Sequence, residues 1–386
     1  MPLSTGTKVW LSDKMRNWLE EPLKELTENI LPFWLRMRDP SGGFFGEADA
    51  FGNVLPQARR GTVLNARILW AFSEAYRLIG REEYLKAARW ERDYFMTHFF
   101  DREHGGVWWS VDADGTRPDT KKQLYAQAFA IYGLSAWCLA VPEDSEALKR
   151  ATELFSLVEE HFLEEESGYV EALGRDFSPL RDMSLSSSDI NAPRTMNSHI
   201  HLMEAYAALY RIAPLPEVEA ALRRLLRIVS EVMTGPNGHL SLYFERDWTV
   251  IPAHVSCGHD IETSWLLMEC AEVLGDDKLT AALRPVAARL AAAGNEAFGE
   301  DMPVDSQWWE YAEAVVGNLW AGDEEKARRI WCFIRDRLSD STNGEWFWSL
   351  HPDGTPNLSF PKAGFWKCPY HNTRMCIEML NLSKKA

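Results

Sequence analysis

Apolar residues in this chain of 386 residues recur mainly at helical spacing, interrupted by short runs that do not. Leu64, Ile68, Leu69, Phe72, Ala75 and Tyr76 share one broad helical face, and beyond Gly80 a second amphipathic run carries Tyr84, Leu85, Ala88, Trp90 and Phe95. Two such faces separated by a glycine predict a pair of antiparallel helices. Similar couples are expected over 122–163, 194–233, 259–292 and 306–338, with 369–385 packing against 17–38.

Five aromatic, glycine-flanked segments lie between the helical runs: Gly-Gly-Phe-Phe-Gly at 42–46, Gly-Gly-Val-Trp-Trp at 105–109, Gly-Tyr-Val-Glu at 168–171, Gly-His-Leu-Ser-Leu-Tyr-Phe at 238–244 and Gly-Glu-Trp-Phe-Trp at 344–348. The first four are roughly 60–70 residues apart, the signature of an internal repeat. Turn signals follow three of them, Phe51-Gly52-Asn53, Asp112-Ala113-Asp114-Gly115 and Pro352-Asp353-Gly354, so each is expected to fold as a short β-hairpin. The longer interval up to Gly344 has room for two shortened units, which places a sixth, eroded hairpin near Gly294 to Asp305. Six couples around one axis make an all-α (α/α)6 barrel, a toroid with its hairpins at one mouth. The inner helices then begin at that mouth, and residues at their starts converge on one cleft. With no linker-like stretch dividing the chain, 1–386 is expected to be a single domain.

Composition narrows the function. A formal net charge of -16 and the absence of a basic cluster disfavour nucleic acid and anionic membranes as partners. The 17 Trp, 11 Tyr and 18 Phe provide core filling and flat faces on which sugars stack. Six cysteines without a CxxC pair are expected to be buried free thiols. Lys8, Asp13, Lys14 and Arg16 interrupt the first stretch of chain, so neither a signal peptide nor a membrane span is expected, and the protein is read as cytoplasmic.

The candidate chemistry lies at the expected inner-helix starts. Asn197 and His201 share a helical face, whereas His199, two residues from His201, faces elsewhere and is expected to be a packed core histidine. His259 and Glu262, three apart, place a carboxylate where it can orient the imidazole or raise its pKa; a metal centre would need further carboxylate-histidine pairs, and none appears. Pro369 suits a first helical turn and puts His371 at a helix N-terminus, whose positive end lowers its pKa toward that of a general base. Of Trp308 and Trp309, one is a candidate sugar platform, with Glu313 as a buried anchor. Arg67, alone among apolar neighbours, admits two readings of equal weight: a clamp on an oxyanion, or half of a buried ion pair.

Six motifs in register, Asn-Ala-Arg-Ile-Leu-Trp at 65–70, Tyr-Ala-Gln at 125–127, Asn197 with His201, Gly-His-Asp-Ile-Glu at 258–262, Trp-Trp at 308–309 and Phe-Trp-Lys-Cys-Pro-Tyr-His-Asn at 365–372, resemble the N-acylglucosamine 2-epimerase superfamily and, within it, the cellobiose 2-epimerases. The resemblance spans nearly the whole chain. It implies that His371 and His259 are the acid/base pair at C2 of an opened reducing sugar and that His201 assists. By the same resemblance Arg67 contacts the C1 and C2 oxygens and Glu262 supports His259, while Tyr125, Asn197, Trp309, Trp366 and Asp189 position the sugar. Neither metal nor cofactor is implied, because a base and an electropositive clamp suffice to form a cis-enediolate. The partner implied is a sugar with a free reducing end, and the protein is expected to be a monomer or homodimer. Shortened stretches at 291–307 and 320–324 depart from the family pattern and bring free mannose or glucose into consideration beside disaccharides, with a mannose isomerase or mannose 2-epimerase as the alternative. Two rivals from other classes are a glycoside hydrolase using Asp260, Glu262, Glu310 or Glu313, and a non-catalytic carbohydrate-binding toroid.

Overall fold

The computed structural model describes residues 20–385 except Glu166, Glu300, Asp301, Val304 and Asp305. The first helix, α1, runs from Glu20–Lys24 through a π-helical stretch, Glu25–Ile30, into Leu31–Arg36. It is followed by α2 (Thr62–Ile79), α3 (Glu82–His98), α4 (Leu124–Ala140), α5 (Ser145–His161), α6 (Met196–Ile212) and α7 (Pro216–Arg227). The remainder are α8 (Cys257–Leu274), α9 (Asp277–Gly294), α10 (Trp308–Ala321), α11 (Glu324–Phe333) and α12 (Tyr370–Lys385). Residues 17–19 of the expected first helix and the stretch before them lie outside the described residues.

Even-numbered helices form the inner ring. Each touches the next, from α2 through α4, α6, α8 and α10 to α12, and α12 returns to α2. The residues explain this division. Over α4, every residue from Leu124 to Cys138 is buried, as befits a helix enclosed on all sides, whereas α5 and α7 are amphipathic and bury one stripe each. The inner helices approach backbone to backbone in places: a Cβ on Gly133 would stand 2.6 Å from the carbonyl oxygen of Ala66, so glycine is required where α4 crosses α2. Helix ends follow local chemistry, with Asp144, Thr195, Asp276 and Asp323 capping N-termini and Gly80, Gly275 and Gly322 ending helices in the left-handed conformation. No helix among the described residues is long and apolar enough to cross a membrane.

The mouth differs from expectation in how its strands pair. Local hairpins exist at Leu163–Glu164 with Gly168–Tyr169 and at Tyr243–Phe244 with Val250–Ile251. The three segments expected to be hairpins from their turn signals close on themselves through isolated bridges alone, such as Ala48 to Val54 and Leu350 to Pro356. Extended residues in or just after the second, third and fourth segments reach across to a neighbouring unit: Ser110–Val111 pairs with Arg60–Gly61, Ala172–Leu173 with Lys122–Gln123, and Tyr243–Phe244 also with Arg194–Thr195. Runs of two residues are too short to sustain a two-stranded ladder alone, and they gain partners in the segment that leads into the preceding inner helix. A bridge from Ala48 to Ala363 completes the circuit. No sixth hairpin appears among the described residues: those between Gly294 and Gln307 contain no strand, and the rest of that stretch lies outside them.

Buried ion pairs fix the same junctions. Arg60, Lys122 and Arg194 each stand two residues before an inner helix and pair with Asp39, Asp101 and Glu164 respectively, acids that follow the preceding outer helix. Lys362 and Asp340 repeat the pairing at 2.6 Å. Desolvation offsets much of the attraction in such pairs, so their clearest effect is on register, because a shifted helix start would leave a buried charge alone.

Candidate active site

Because α4, α6, α8, α10 and α12 all begin at the mouth, their early residues face a common axis. The second residue of three of them is Tyr125, Asn197 or Trp309, and the residue one helical turn below is Phe129, His201 or Glu313. His259 and His371 lie in the first turns of α8 and α12, and Arg67 and Glu262 lie at the lower level.

The three predicted imidazoles meet. Trp309 contacts two of them, its ring 4.7 Å from that of His259 and 5.6 Å from that of His371. His201 packs against Phe129 at 4.9 Å and Tyr125 at 5.4 Å, one helix along the ring from α8. Each has its Nδ1 engaged: His371 with Glu313 Oε1 at 2.7 Å, His201 with Glu204 Oε2 at 3.0 Å and His259 with Ser256 Oγ at 2.7 Å. Among the described residues no protein atom takes Nε2 of any of the three. An ionised carboxylate accepts only, so Glu313 and Glu204 place the ring proton on Nδ1 and leave the Nε2 lone pair of His371 and His201 for chemistry. Burial pushes the pKa of His371 well below the ordinary histidine value, and the Arg67 and Arg374 charges push it the same way. The low pKa expected from the helix terminus is present, but desolvation is its main cause. His259, partly open to the cleft, is also lowered, first by desolvation and then by His201 and His254.

Glu262 departs from expectation. It makes no hydrogen bond to His259; its Oε1 accepts from Arg374 Nη2 at 2.5 Å and lies 3.9 Å from His371 Nδ1. The i to i+3 spacing puts His259 and Glu262 on the same side of α8, but the guanidinium one level lower captures the carboxylate, and Ser256 takes its place beside His259. Burial, with Glu313 nearby, raises the Glu262 pKa to about 7, and its Oε2 is buried without a protein partner.

Arg374 organises this lower layer. Its guanidinium donates to Glu204 Oε1 at 2.6 Å, to Glu262 and to Glu313 Oε1 at 2.7 Å, joining α6, α8 and α10 to α12. Trp265 donates to Glu313 Oε2 at 3.0 Å, and Tyr370 to Glu204 at 2.6 Å. Burial alone would raise the Glu204 carboxyl, but Arg374 and His201 outweigh it and hold the pKa at about 2. Glu262, Glu313 and His371 bring three potential metal ligands within 4.8 Å of one another. Arg374 already supplies a cation to both carboxylates, so these donors are committed to a guanidinium.

Arg67 resolves its two readings. Among the described residues it has no carboxylate partner; its Nη2 donates to Tyr125 Oη at 3.0 Å, and its guanidinium lies over the rings of Phe129 and Tyr370 at 4.1 and 4.5 Å. Its Nη1 also donates to Cys368 Sγ at 3.6 Å, and a buried guanidinium facing rings, a phenol and a thiol keeps its charge available to an anion. Trp308 is buried in the core and Trp309 opens to the cleft. Asp189, Asn197 and His259 line a cavity of ≈ 130 Å³ together with Tyr243 and His254, and Tyr243 Oη donates to Asp189 at 3.2 Å. The amide oxygen of Asn197 is buried with no protein partner. Trp366 stands 6.2 Å from the Tyr125 ring and 5.9 Å from that of Trp109.

Sequence reasoning missed Glu204, Ser256, Tyr370, Arg374 and Trp109. A signal existed for one of them: Glu204 is a charge set in an apolar helical run, the same anomaly that singled out Arg67. His199 has both nitrogens engaged by backbone, Nδ1 at the Thr195 carbonyl and Nε2 accepting from Tyr169 N at 3.1 Å, and is fully buried.

Residues 43–374 match the family model for N-acylglucosamine 2-epimerase (GlcNAc 2-epimerase). A cellobiose 2-epimerase from Bacteroides fragilis is 45% identical, with 94% of this chain and 98% of that protein aligned. Among solved structures, a sugar epimerase from a ruminal bacterium superposes with a TM-score of 0.89 at 33% identity, covering 94% of this chain and 98% of that one. The cellobiose 2-epimerase of Spirochaeta thermophila superposes with a TM-score of 0.88 at 36% identity, covering 96% and 98%. With a match this extensive and these imidazoles at the inner-helix starts, the chain belongs to the N-acylglucosamine 2-epimerase family and is a sugar 2-epimerase, an isomerase built on the (α/α)6 toroid.

Proposed function

We propose that this chain inverts C2 at the reducing end of glucose- and mannose-type sugars, cellobiose-type disaccharides foremost, and that His371 and His259 exchange the proton. The observation that carries this reading is the pair of imidazoles that both contact the Trp309 ring, each tied at Nδ1, with Arg67, which has no carboxylate partner among the described residues, bonded to Tyr125. In the opened sugar, Nε2 of one imidazole takes the C2 proton, the C2–H electron pair moves into a C1–C2 double bond, and negative charge develops on the C1 oxygen. Arg67, with Tyr125 beside it, stabilises that cis-enediolate. The other imidazole, protonated, returns a proton to the opposite face of C2, after which the two bases have exchanged protonation states; His201 assists their reset. Return of the proton to C1 instead yields the ketose, an aldose-ketose side reaction. Glu262 acts through Arg374 and the His371 side of the site, while Asn197, Asp189, Trp309 and Trp366 position the sugar.

The disaccharide preference rests on the relatives that carry the cellobiose 2-epimerase name and on the cavity beside His259, which extends the cleft past the reacting ring. The shortened stretch at 291–307, without a strand among its described residues, favours a second reading, action on free mannose or glucose. We assign the enzyme to the cytoplasm, acting as one domain without a nucleic-acid or membrane partner and needing no cofactor. All six cysteines are free, four of them buried and Cys257 and Cys332 partly so, in keeping with a reducing compartment.

The test is incubation of the protein in deuterated water with glucose, mannose, cellobiose, lactose and N-acetylglucosamine, followed by NMR at C2. Inversion with deuterium incorporated at C2 is expected, fastest with cellobiose; faster turnover of mannose selects the second reading. Glucose released from cellobiose, or no exchange with any of the sugars, would refute the proposal.

A further inference from the structure

Three mouth turns in this chain are built alike. Asp39 N donates to Gly43 O, Asp101 N to Gly106 O and Asp340 N to Glu345 O, each at 3.0 Å. Phe45 N, Trp108 N and Phe347 N donate to Met37 O, Phe99 O and Leu338 O, so the three turns close through the same bonds, the first with one residue fewer. The residue at the tip is left-handed in all three, with φ of 64° at Gly43, 71° at Gly106 and 64° at Glu345. Glycine adopts this conformation freely and glutamate does not. The first two sites have no space for a side chain, since a Cβ would meet Tyr94 at 2.6 Å or Gln127 at 2.9 Å.

The third unit holds a strained, fully buried glutamate, and its carboxylate is saturated. Oε1 accepts from Lys367 Nζ at 2.8 Å, Asn372 Nδ2 at 2.6 Å and Trp346 N at 2.9 Å, and Oε2 accepts from Trp34 Nε1 at 2.7 Å. Lys367 and Asn372 bracket the strap 368–371 and flank Trp366 and His371; both are fully buried. Strain retained at one of three equivalent turns, on a residue whose side chain grips both ends of the strap, indicates what the side chain is for.

We propose that Glu345 is a positioning residue that locks the 366–372 strap, and thereby sets His371 and Trp366 against the reducing-end sugar. The inference rests on the reading of His371 as one of two bases. A displaced His371 leaves the opposite imidazole able to remove and return a proton on its own face, so deuterium exchange persists while inversion fails.

The test uses Glu345→Gln and, in case that variant does not fold, Asn372→Ser, which removes a single grip. Each is incubated with sugar in deuterated water, and C2 exchange without inversion is compared with inversion; iodoacetamide labelling of Cys368, buried within the strap, is mapped by mass spectrometry. Glu345→Gln is expected to raise the exchange-to-inversion ratio at least tenfold and to expose Cys368, with KM raised through the displaced Trp366; Asn372→Ser should do the same to a smaller degree. Asp39→Asn, at the equivalent first turn, controls for general loosening and is expected to lower Tm with the ratio unchanged. An unchanged ratio in the Glu345 and Asn372 variants, or a changed ratio with Cys368 still shielded, overturns the proposal. Absence of exchange in the unsubstituted enzyme instead overturns the reading of function.

Discussion

His371 and His259 contact the same indole from different supports. His371 is tied to a carboxylate that also holds Arg374 and Trp265, whereas His259 is tied to a serine hydroxyl at the start of its own helix. A carboxylate fixes the tautomer and stabilises the imidazolium; a hydroxyl can donate or accept and does neither strongly. On the proposed mechanism one base is therefore held to a single protonation geometry and the other exchanges easily, so the two directions of epimerisation are expected to differ in barrier.

Removing either base tests that contrast most severely. His371→Asn and His259→Asn should each lower inversion by roughly 10²–10⁴-fold, the usual contribution of a positioned acid or base, with Tm nearly unchanged. If either variant loses its fold instead, the residue is a core histidine. Glu313→Gln should lower kcat by about 10²-fold, because the lost charge frees the His371 tautomer, with a smaller change in KM. Ser256→Ala removes one neutral hydrogen bond worth roughly 1–1.5 kcal/mol, so turnover should fall by about tenfold and Ser256→Thr should restore it. Equal effects of the Glu313 and Ser256 substitutions would erase the contrast.

The smallest effect on turnover is expected at His199, which touches no part of the cleft. Its pKa is lowered to about 4, chiefly by burial, from an ordinary value near 6.5. On acidification the unfolded chain binds the proton first, so His199 contributes its full stability above about pH 6.5 and loses it as the pH falls through about 4. His199→Gln should cost about 1–3 kcal/mol at neutral pH through the unmet backbone partners, leave turnover nearly unchanged, and flatten the decline in Tm across that window.

The ring and its cleft were legible because helical period and helix starts are local properties. Enclosed helices such as α4 read as continuous apolar runs, and His201, His259 and His371 stood out as polar residues at their beginnings. Pairings across the ring were not legible. Ser110–Val111 and Arg60–Gly61 are apart in sequence and carry no complementary pattern, so sequence alone points to local hairpins. Glu262 was assigned to His259 for the same reason: spacing along one helix is visible, whereas the competing guanidinium of Arg374 arrives from a helix more than a hundred residues away. Trp109 went unnoticed because an aromatic residue in a glycine-flanked turn is as readily a core residue as part of a cleft wall.

The Ala48 to Ala363 bridge and the return of α12 to α2 have a consequence for biosynthesis. A growing chain can assemble five couples and still lack one imidazole, the organising guanidinium and the strap, all of which come with the last couple. On the proposed mechanism, competence to handle a reactive enediolate appears only when the circle is complete, and a truncated product of translation is expected to be inert toward sugar rather than partly active.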